Sequence, residues 1–427
     1  MRFPTLEQWL DWQETLHPSG MKLGLARVRA VVSRLEWSDR PFPVITVAGT
    51  NGKGSTVAIL ESILGAAGYR TGVYTSPHLV RYNERIRIGR READDGSIVA
   101  SFDRLDRTRG ELLLTYFEFG TLAAVDLFRR AGVDVAVLEV GIGGRLDAVN
   151  VFDPDVSVIT PIDIDHVKWL GPDRESIARE KAGVLRTGVP AIVSDREPPS
   201  SLLARARELG APLYRLGEEF AALPSGAGWR WRGPGETIES LPRPSLFGEF
   251  QLDNAAAALM AVRCLPARPV DRDAMCAGLL DIGLRGRYER LGGSPLRILD
   301  TAHNPHAARS LASSLAADPC AGRTLAVVGM LGDKDHLGVL GALGGEVDAW
   351  YVGSLGGPRG MSSAALAEVV RVVGGGPVAC YPSVAEAHAA AARAAGAEDR
   401  VVIFGSFHTV GEVLAGWERG GSGSVPL

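Results

Sequence analysis

The chain is poor in the features that mark specialised protein classes. Its 427 residues hold four cysteines. Cys264, Cys276, Cys320 and Cys380 form no C-x-x-C pair, and no histidine lies at metal-finger spacing. A disulfide scaffold and a zinc finger are therefore excluded, and reduced thiols in a cytosolic protein are expected. Charge of neither sign is in excess: 46 Lys+Arg against 50 Asp+Glu leave a net charge of -4. That balance carries no nucleic-acid footprint and no attraction to an anionic membrane. No uncharged run approaches the length of a membrane span. The stretch Met1 to Glu7 lacks the apolar core of a secretion signal, so the cytoplasm is the expected location. Internal repeats are also missing, and a chain of this length is expected to divide into two or three domains.

Glycine is plentiful, and one glycine-rich stretch organises the rest. The β-branched run Val44–Ala48 feeds Gly49-Thr50-Asn51-Gly52-Lys53-Gly54-Ser55-Thr56, and a helix-period run continues to Leu64. In such a strand–turn–helix unit, backbone N–H groups and a helix N-terminus cradle phosphates. Lys53 would sit on the β- and γ-phosphates, and Ser55 or Thr56 would offer a hydroxyl to Mg²⁺. The spacing departs from the standard Walker pattern. With Gly52-Lys53 as the GK pair, the leading glycine falls on Val47 and the Ser/Thr position on Gly54. An ordinary glycine-rich βα turn is the alternative.

Strands and helices alternate along the chain, which predicts an α/β protein built on parallel sheets. Two amphipathic helices are expected in 5–36, then strand 44–48, helix 55–67 and a strand from Arg70 to Thr75 ending at Ser76-Pro77-His78. A short exposed strand is expected near 81–88, a helix over 115–131, and buried strands at Val135–Leu138 and Val156–Thr160. The segment 196–250 reads as an irregular insertion with short strands near 228–240. An Asp253-Asn254 cap is expected to open helix 253–264. Gly292-Gly293-Ser294-Pro295 reads as an interdomain linker. It would separate a P-loop-type, parallel-sheet ATP-binding domain (1–291) from a smaller doubly wound α/β domain (296–427). In the latter, strands 296–300, 324–330, 348–352, 378–381 and 400–405 alternate with helices. The tail from Gly420 is expected to fray.

Ligands of open α/β sheets bind beyond the carboxyl ends of the strands. Lys53, Ser76, Glu139 and the Asp165-His166 pair all fall at such ends. Glu139 occupies the place where a phosphate-loop enzyme holds Mg²⁺, or else it caps a turn. His166 is a ligand for a second cation or a structural histidine, and Asp163 and Asp165 are ligands or helix caps. Lys181 reads as a solvated helix lysine. Asp300 could accept from a ribose hydroxyl, or belong to an N-cap cluster. Gly332 to Asp335 and Gly405 to His408 are weaker candidates on the same rim.

Taken together, these motifs resemble the Mur ligase superfamily. Ala48 to Ser55 matches its phosphate loop. Ser76-Pro77-His78-Leu79, Asn83 to Ile86, Thr115-Tyr116-Phe117-Glu118, Glu139 to Asp147, Asp165-His166 with Leu170-Gly171, Glu180 to Gly183, Gly286 to Glu289 and Asp300 to Pro305 resemble its folylpolyglutamate synthase branch. The resemblance covers nearly the whole chain and is strongest to the bacterial bifunctional form, also a dihydrofolate synthase; Lys22-Leu23-Gly24-Leu25 and Thr115 to Glu118 support that form. It implies ligation of L-glutamate, driven by ATP with two Mg²⁺ ions, to dihydropteroate and reduced folates through an acyl phosphate. Asn51, Gly52, Lys53, Gly54 and Ser55 would hold ATP, with Asn254, Arg287 and Asp300 across a cleft. Ser55, Ser76 and Glu139 would hold one magnesium, and His166 with Lys181, modified to a carbamate, the second. Lys53, Lys181, His166 and His303 would be catalytic. Leu23, Gly24, Leu25, Thr115, Tyr116, Phe117, Glu118, Leu146, Asp147 and Ala148 would hold the pterin-bearing substrate, with Ser406 on the glutamate and acyl side. Thr301 replaces a glycine and Phe250 a histidine found in many relatives. A monomer with no nucleic-acid or membrane partner is implied. The alternatives are a monofunctional folylpolyglutamate synthase, a Mur-type cell-wall ligase and a simple ATPase.

Overall fold

The computed structural model describes residues 1–16, 22–37 and 41–419; the tail from Gly420 lies outside the described residues. The chain divides into two compact units. The first holds Met1–His78, Tyr82–Ser245 and Leu252–Gly283; the second holds Leu79–Arg81, Leu246–Gln251 and the chain from Leu284.

The first unit is built on eight strands: β1 (Val44–Ala48), β2 (Thr71–Tyr74), β3 (Ile86–Ile88), β4 (Arg91–Glu92), β5 (Val135–Glu139), β6 (Val156–Ile159), β7 (Ala191–Val193) and β8 (Leu213–Arg215). Their order is β4-β3-β2-β5-β1-β6-β7-β8. All pairs are parallel except β2–β3 and β3–β4 at one edge. β1, β2, β5, β6 and β7 are buried at every position. That is why they read as unbroken apolar runs: a parallel strand is covered on both faces. The helix Lys53–Ala66 is equally enclosed, with every residue from Ser55 to Leu64 buried. Helix Arg272–Leu280 lies so close to it that a Cβ on Gly278 would come within 2.5 Å of the Ile63 Cα.

The segment 196–250 is more ordered than expected. It contains helix Ser200–Glu208, the edge strand β8, and a separate antiparallel sheet of β9 (Ala221–Ser225), β10 (Gly228–Gly233) and β11 (Glu236–Pro242). Trp229 and Trp231 face inward from β10 and are fully buried, while Arg230 and Arg232, which alternate with them, are exposed. The following helix starts at Phe250, not at a 253–254 cap; Asp253 instead pairs with Arg196 at 2.7 Å.

The second unit has one sheet of β12 (Glu289–Leu291), β13 (Leu296–Leu299), β14 (Thr324–Val328), β15 (Ala349–Gly353), β16 (Val378–Tyr381) and β17 (Arg400–Phe404), in the order β12-β13-β17-β14-β15-β16. Only β12 runs antiparallel, and residues 292–295, expected as a linker, form the turn between β12 and β13. The period-2 rule divides the core in two. Ile298, Ala326, Val328, Val402 and Phe404 face helices Pro305–Ala317, His336–Leu343 and Ser363–Val372. Leu299, Leu325, Val327, Val401 and Ile403 face helices Val384–Ala394 and Phe407–Arg419. Helices on both faces make it doubly wound. Among the described residues no helix is long and apolar enough to cross a membrane.

Candidate active site

β2, β5, β1 and β6 are neighbours in one parallel sheet, so Ser76, Glu139, the phosphate loop and the 160–166 segment leave it at the same rim. The chain turns sharply at Gly49, φ +149°, where a Cβ would fall 1.8 Å from Thr160 Oγ1. Thr50 N and Asn51 N donate to Pro161 O at 2.9 and 3.3 Å, and Thr50 Oγ1 bonds the backbone N and O of Asp163. Those bonds pin the loop to the end of β6. The first turn of helix Lys53–Ala66, like that of any α-helix, carries N–H groups that the helix itself does not pair. Gly52 is the left-handed N-cap, and a Cβ there would lie 2.7 Å from Asn254 Oδ1. We expect Gly49→Ala to destabilise the protein by about 2–3 kcal/mol through strain and overpacking. Thermal melting checks this; an unchanged midpoint would contradict it.

Two lysines meet on one carbonyl. Lys53 Nζ donates to Gly49 O and Thr50 O, both at 3.1 Å, and Lys181 Nζ donates to Gly49 O at 2.6 Å. Lys181 closes helix Arg174–Lys181 and is 4% exposed, so the solvated position read from its charged helix is incorrect. Burial, then the Lys53 ammonium, hold it well below the usual lysine value, opposed by Asp165 and Asp147. A close approach puts it there: Gly183 meets Arg145 so tightly that a Cβ would lie 2.3 Å from the Arg145 Cβ. Arg145 N also donates to Glu180 O at 2.8 Å.

Glu139 is buried and accepts from Ser76 N at 3.2 Å. Ser55, in the first turn of its helix, is 2% exposed. Among the described residues no three His, Cys, Asp or Glu side chains form a metal cage. The hydroxyl and carboxylate oxygens present suit a hard cation that completes its shell with phosphate and water. His166 has φ +51° and precedes the short helix Val167–Leu170. Asp163 and Asp165 accept from the N–H groups of Ile164 and His166, so both take part in ordering their own loop.

The three stretches expected to hold the pterin converge. Gly24 N donates to Leu146 O at 3.1 Å, and Phe117 packs so closely on Gly141 that a Cβ there would meet its ring at 2.7 Å. Leu23 and Leu25 flank Gly24, while Thr115 and Glu118 close a capping box in front of Tyr116 and Phe117. Asp147 precedes Ala148 and accepts from the N–H groups of Gly141, Ile142 and Val149 at 3.0–3.1 Å. Burial outweighs those bonds and pushes its carboxyl up to about 6. The folded state then binds more protons than the unfolded one between 3.8 and about 6. This group therefore makes stability fall as pH rises through that window. Asp147→Asn removes that slope, which urea midpoints across the window would show; parallel curves for the two proteins would contradict it.

In the second unit Asp300 follows β13, half-buried, and accepts from Tyr288 N and Ala302 N at 2.9 and 2.7 Å. Burial raises its carboxyl above the ordinary value, and Arg287 opposes the rise. Arg287 donates to Gly286 O and to the Thr301 hydroxyl, and its guanidinium lies 5.0 Å from the centre of the Phe407 ring. His303 Nδ1 lies 2.8 Å from Thr301 O. A carbonyl partner makes Nδ1 the protonated nitrogen of the neutral ring. Ser406 caps helix Phe407–Arg419, its Oγ accepting from Thr409 N at 3.0 Å. Of the weaker candidates, Asp335 caps helix His336–Leu343 and Asp333 pairs with Arg359.

Residues passed over in the sequence also shape this region. Arg27 holds Glu118, and Arg174 bonds Ile162 O and Asp195, bracing the loop before His166. Neither has a sequence signal, because an arginine on a helix looks the same paired or solvated.

A strand–turn–helix phosphate site in one unit and a doubly wound second unit define the architecture of a Mur ligase. The Mur ligase middle domain matches residues 47–262, and the Mur ligase glutamate ligase domain matches residues 286–407. The dihydrofolate synthase/folylpolyglutamate synthase of Escherichia coli (strain K12) is 48% identical over 410 residues, covering 96% of this chain and 94% of that protein. The structure of E. coli FolC in complex with DHPP and ADP superposes with a TM-score of 0.93 at 47% identity, covering 98% of this chain and 99% of that one. A bifunctional folylpolyglutamate synthase/dihydrofolate synthase with Mn, AMPPNP and L-glutamate bound gives 0.90 at 46% identity, covering 97% and 98%. The chain belongs to the Mur ligase family, in its dihydrofolate synthase/folylpolyglutamate synthase branch.

Proposed function

We propose that the protein is an ATP-dependent ligase that adds L-glutamate to dihydropteroate and to reduced folates. The observation that carries this reading is the joining of two chemistries at one sheet rim. The phosphate loop ends β1, and the segments 22–25, 115–118 and 146–148 gather beside the loop that leaves β5. The bound ligands named for the similar structures, ADP and DHPP in one and AMPPNP, Mn and L-glutamate in the other, agree with it.

In this reading a carboxylate oxygen of the pteroate or folate attacks the γ-phosphorus of ATP, and ADP leaves. The amino group of glutamate then attacks the acyl carbon, loses a proton, and expels phosphate. Asn51, Gly52, Gly54 and Ser55 hold the polyphosphate, and Lys53 neutralises its transferring oxygens. Asn254, Arg287 and Asp300 are assigned to the nucleotide. Magnesium, held in one place by Ser55, Ser76 and Glu139 and in a second by His166 and carbamylated Lys181, supplies charge neutralisation at the phosphoryl oxygens. His303 and Ser406 are assigned to the glutamate and acyl side. The protein would act as a cytoplasmic monomer.

Mass spectrometry of products from ATP, L-glutamate and either dihydropteroate or tetrahydrofolate tests the proposal. One added glutamate on each acceptor is expected. A product from tetrahydrofolate alone would make it a monofunctional folylpolyglutamate synthase. Phosphate release at full rate without either acceptor would make it a simple ATPase.

A further inference from the structure

We infer that Arg27 is a positioning residue for the pterin-bearing substrate; this rests on the ligase reading above. Arg27 lies in the first turn of helix Ala26–Arg34, which has no side-chain cap at Leu25. Its Nε donates to both oxygens of Glu118 at 3.1 Å, and Nη2 to Oε1 at 2.8 Å. Glu118 is 4% exposed and Arg27 18%. The same carboxylate accepts from Thr115 N at 2.7 Å, closing the capping box of helix Tyr116–Ala131. Its oxygens are thus committed to protein donors, and Glu118 serves the substrate by holding others rather than by contact.

The guanidinium has one further bond, and it decides the role. Arg27 Nη2 also donates to Lys22 O at 2.7 Å. Two residues on, Gly24 N is tied to Leu146 O at 3.1 Å. Arg27 therefore fixes the 22–25 segment to the start of helix Tyr116–Ala131 at one end, while Leu146 fixes it at the other. A Cβ added to Gly24 would meet nothing within 4 Å, so open space lies beside the segment so held. A planar fork is needed, because one group must serve two carboxylate oxygens and a carbonyl at once. Lysine keeps the charge but has a single nitrogen at its tip.

The test is Arg27→Lys, with Arg27→Met as the second variant, in the full-length protein. Losing a charge-assisted bond of this kind raises the KM for dihydropteroate about tenfold, with kcat and the KM for ATP within about twofold of wild type. Hydrogen exchange at the Gly24 amide, followed without any substrate, should quicken in both variants. Because Arg27→Met leaves Glu118 buried without a countercharge, it can fail to fold; Arg27→Lys then decides. Unchanged exchange at Gly24 overturns the clamp. Faster exchange with an unchanged dihydropteroate KM overturns the positioning role, as does an equal loss of all kinetic constants. If wild type itself joins no glutamate to dihydropteroate, the ligase reading fails, while the exchange result still judges the clamp.

Discussion

Lys53→Ala is expected to lower turnover by about 10²–10³-fold, the loss typical of removing one preorganised charge from a transition state. The side chain starts helix Lys53–Ala66, and its ammonium bridges the Gly49 and Thr50 carbonyls. Two neutral carbonyls are modest partners, and a polyphosphate placed at the same helix N-terminus offers charge-assisted bonds about twice as strong. Charge builds on the transferring oxygens as the phosphoryl group moves, so the loss should appear in kcat as well as in the KM for ATP. Helix Lys53–Ala66 is buried through Ile59, Leu60, Ile63 and Leu64, none of which the substitution touches. The melting temperature should therefore stay close to wild type. Steady-state kinetics checks this, and a variant within about threefold of wild-type kcat would contradict the assignment.

Lys181→Ala carries the second large effect, again about 10²–10³-fold in turnover if a charged oxygen ligand is lost. Only a neutral amine reacts with carbon dioxide, giving a carbamate and a proton. The surroundings of Lys181 favour that neutral form through burial and then through Lys53. With Asp165 and Asp147 also near it, a carbamate would add negative charge that the Lys53 ammonium and a bound cation would balance. Short carboxylic acids such as acetate should partly restore turnover to Lys181→Ala by supplying the missing oxygens. Full activity in the variant would contradict a catalytic role. A dead variant that acetate leaves dead, beside a wild type indifferent to bicarbonate, would contradict the carbamate.

Much of the rim was legible from single segments. β1, β5 and β6 are enclosed on both faces and so appear as apolar runs, each broken by a polar or glycine-rich turn where the sheet ends. In the second unit β14 and β17 were legible for the same reason, and β13, β15 and β16 from their alternation with helices. Lys181 was not, because most of its helix, Arg174 to Lys181, is charged, and its burial comes from tertiary contacts, among them its bond to Gly49 O and the approach of Gly144. Gly292 to Pro295 has a composition that suits a linker and a hairpin turn equally, and only the pairing of β12 with β13 separates them. Trp229 and Trp231 alternate with Arg230 and Arg232, the period of a half-buried strand, and the short strands expected near 228–240 are β10 and β11. One further signal was present and unused. Ile98, Val99, Phe102 and Leu105 follow the Asp94 cap at helical spacing, and helix Asp95–Arg109 is what they form. Arg27 left no trace, since its partner Glu118 is 91 residues away.

The central claim is that the acceptor carboxylate is activated by phosphorylation at the β1 rim. Dihydropteroate labelled with ¹⁸O in its carboxylate tests it most directly. If an acyl phosphate forms, the bridging oxygen comes from the acceptor and departs with phosphorus when glutamate attacks the carbonyl carbon. Mass analysis should then find one ¹⁸O in the inorganic phosphate for each amide made from fully labelled substrate. Phosphate free of label, alongside normal product formation, would contradict the account.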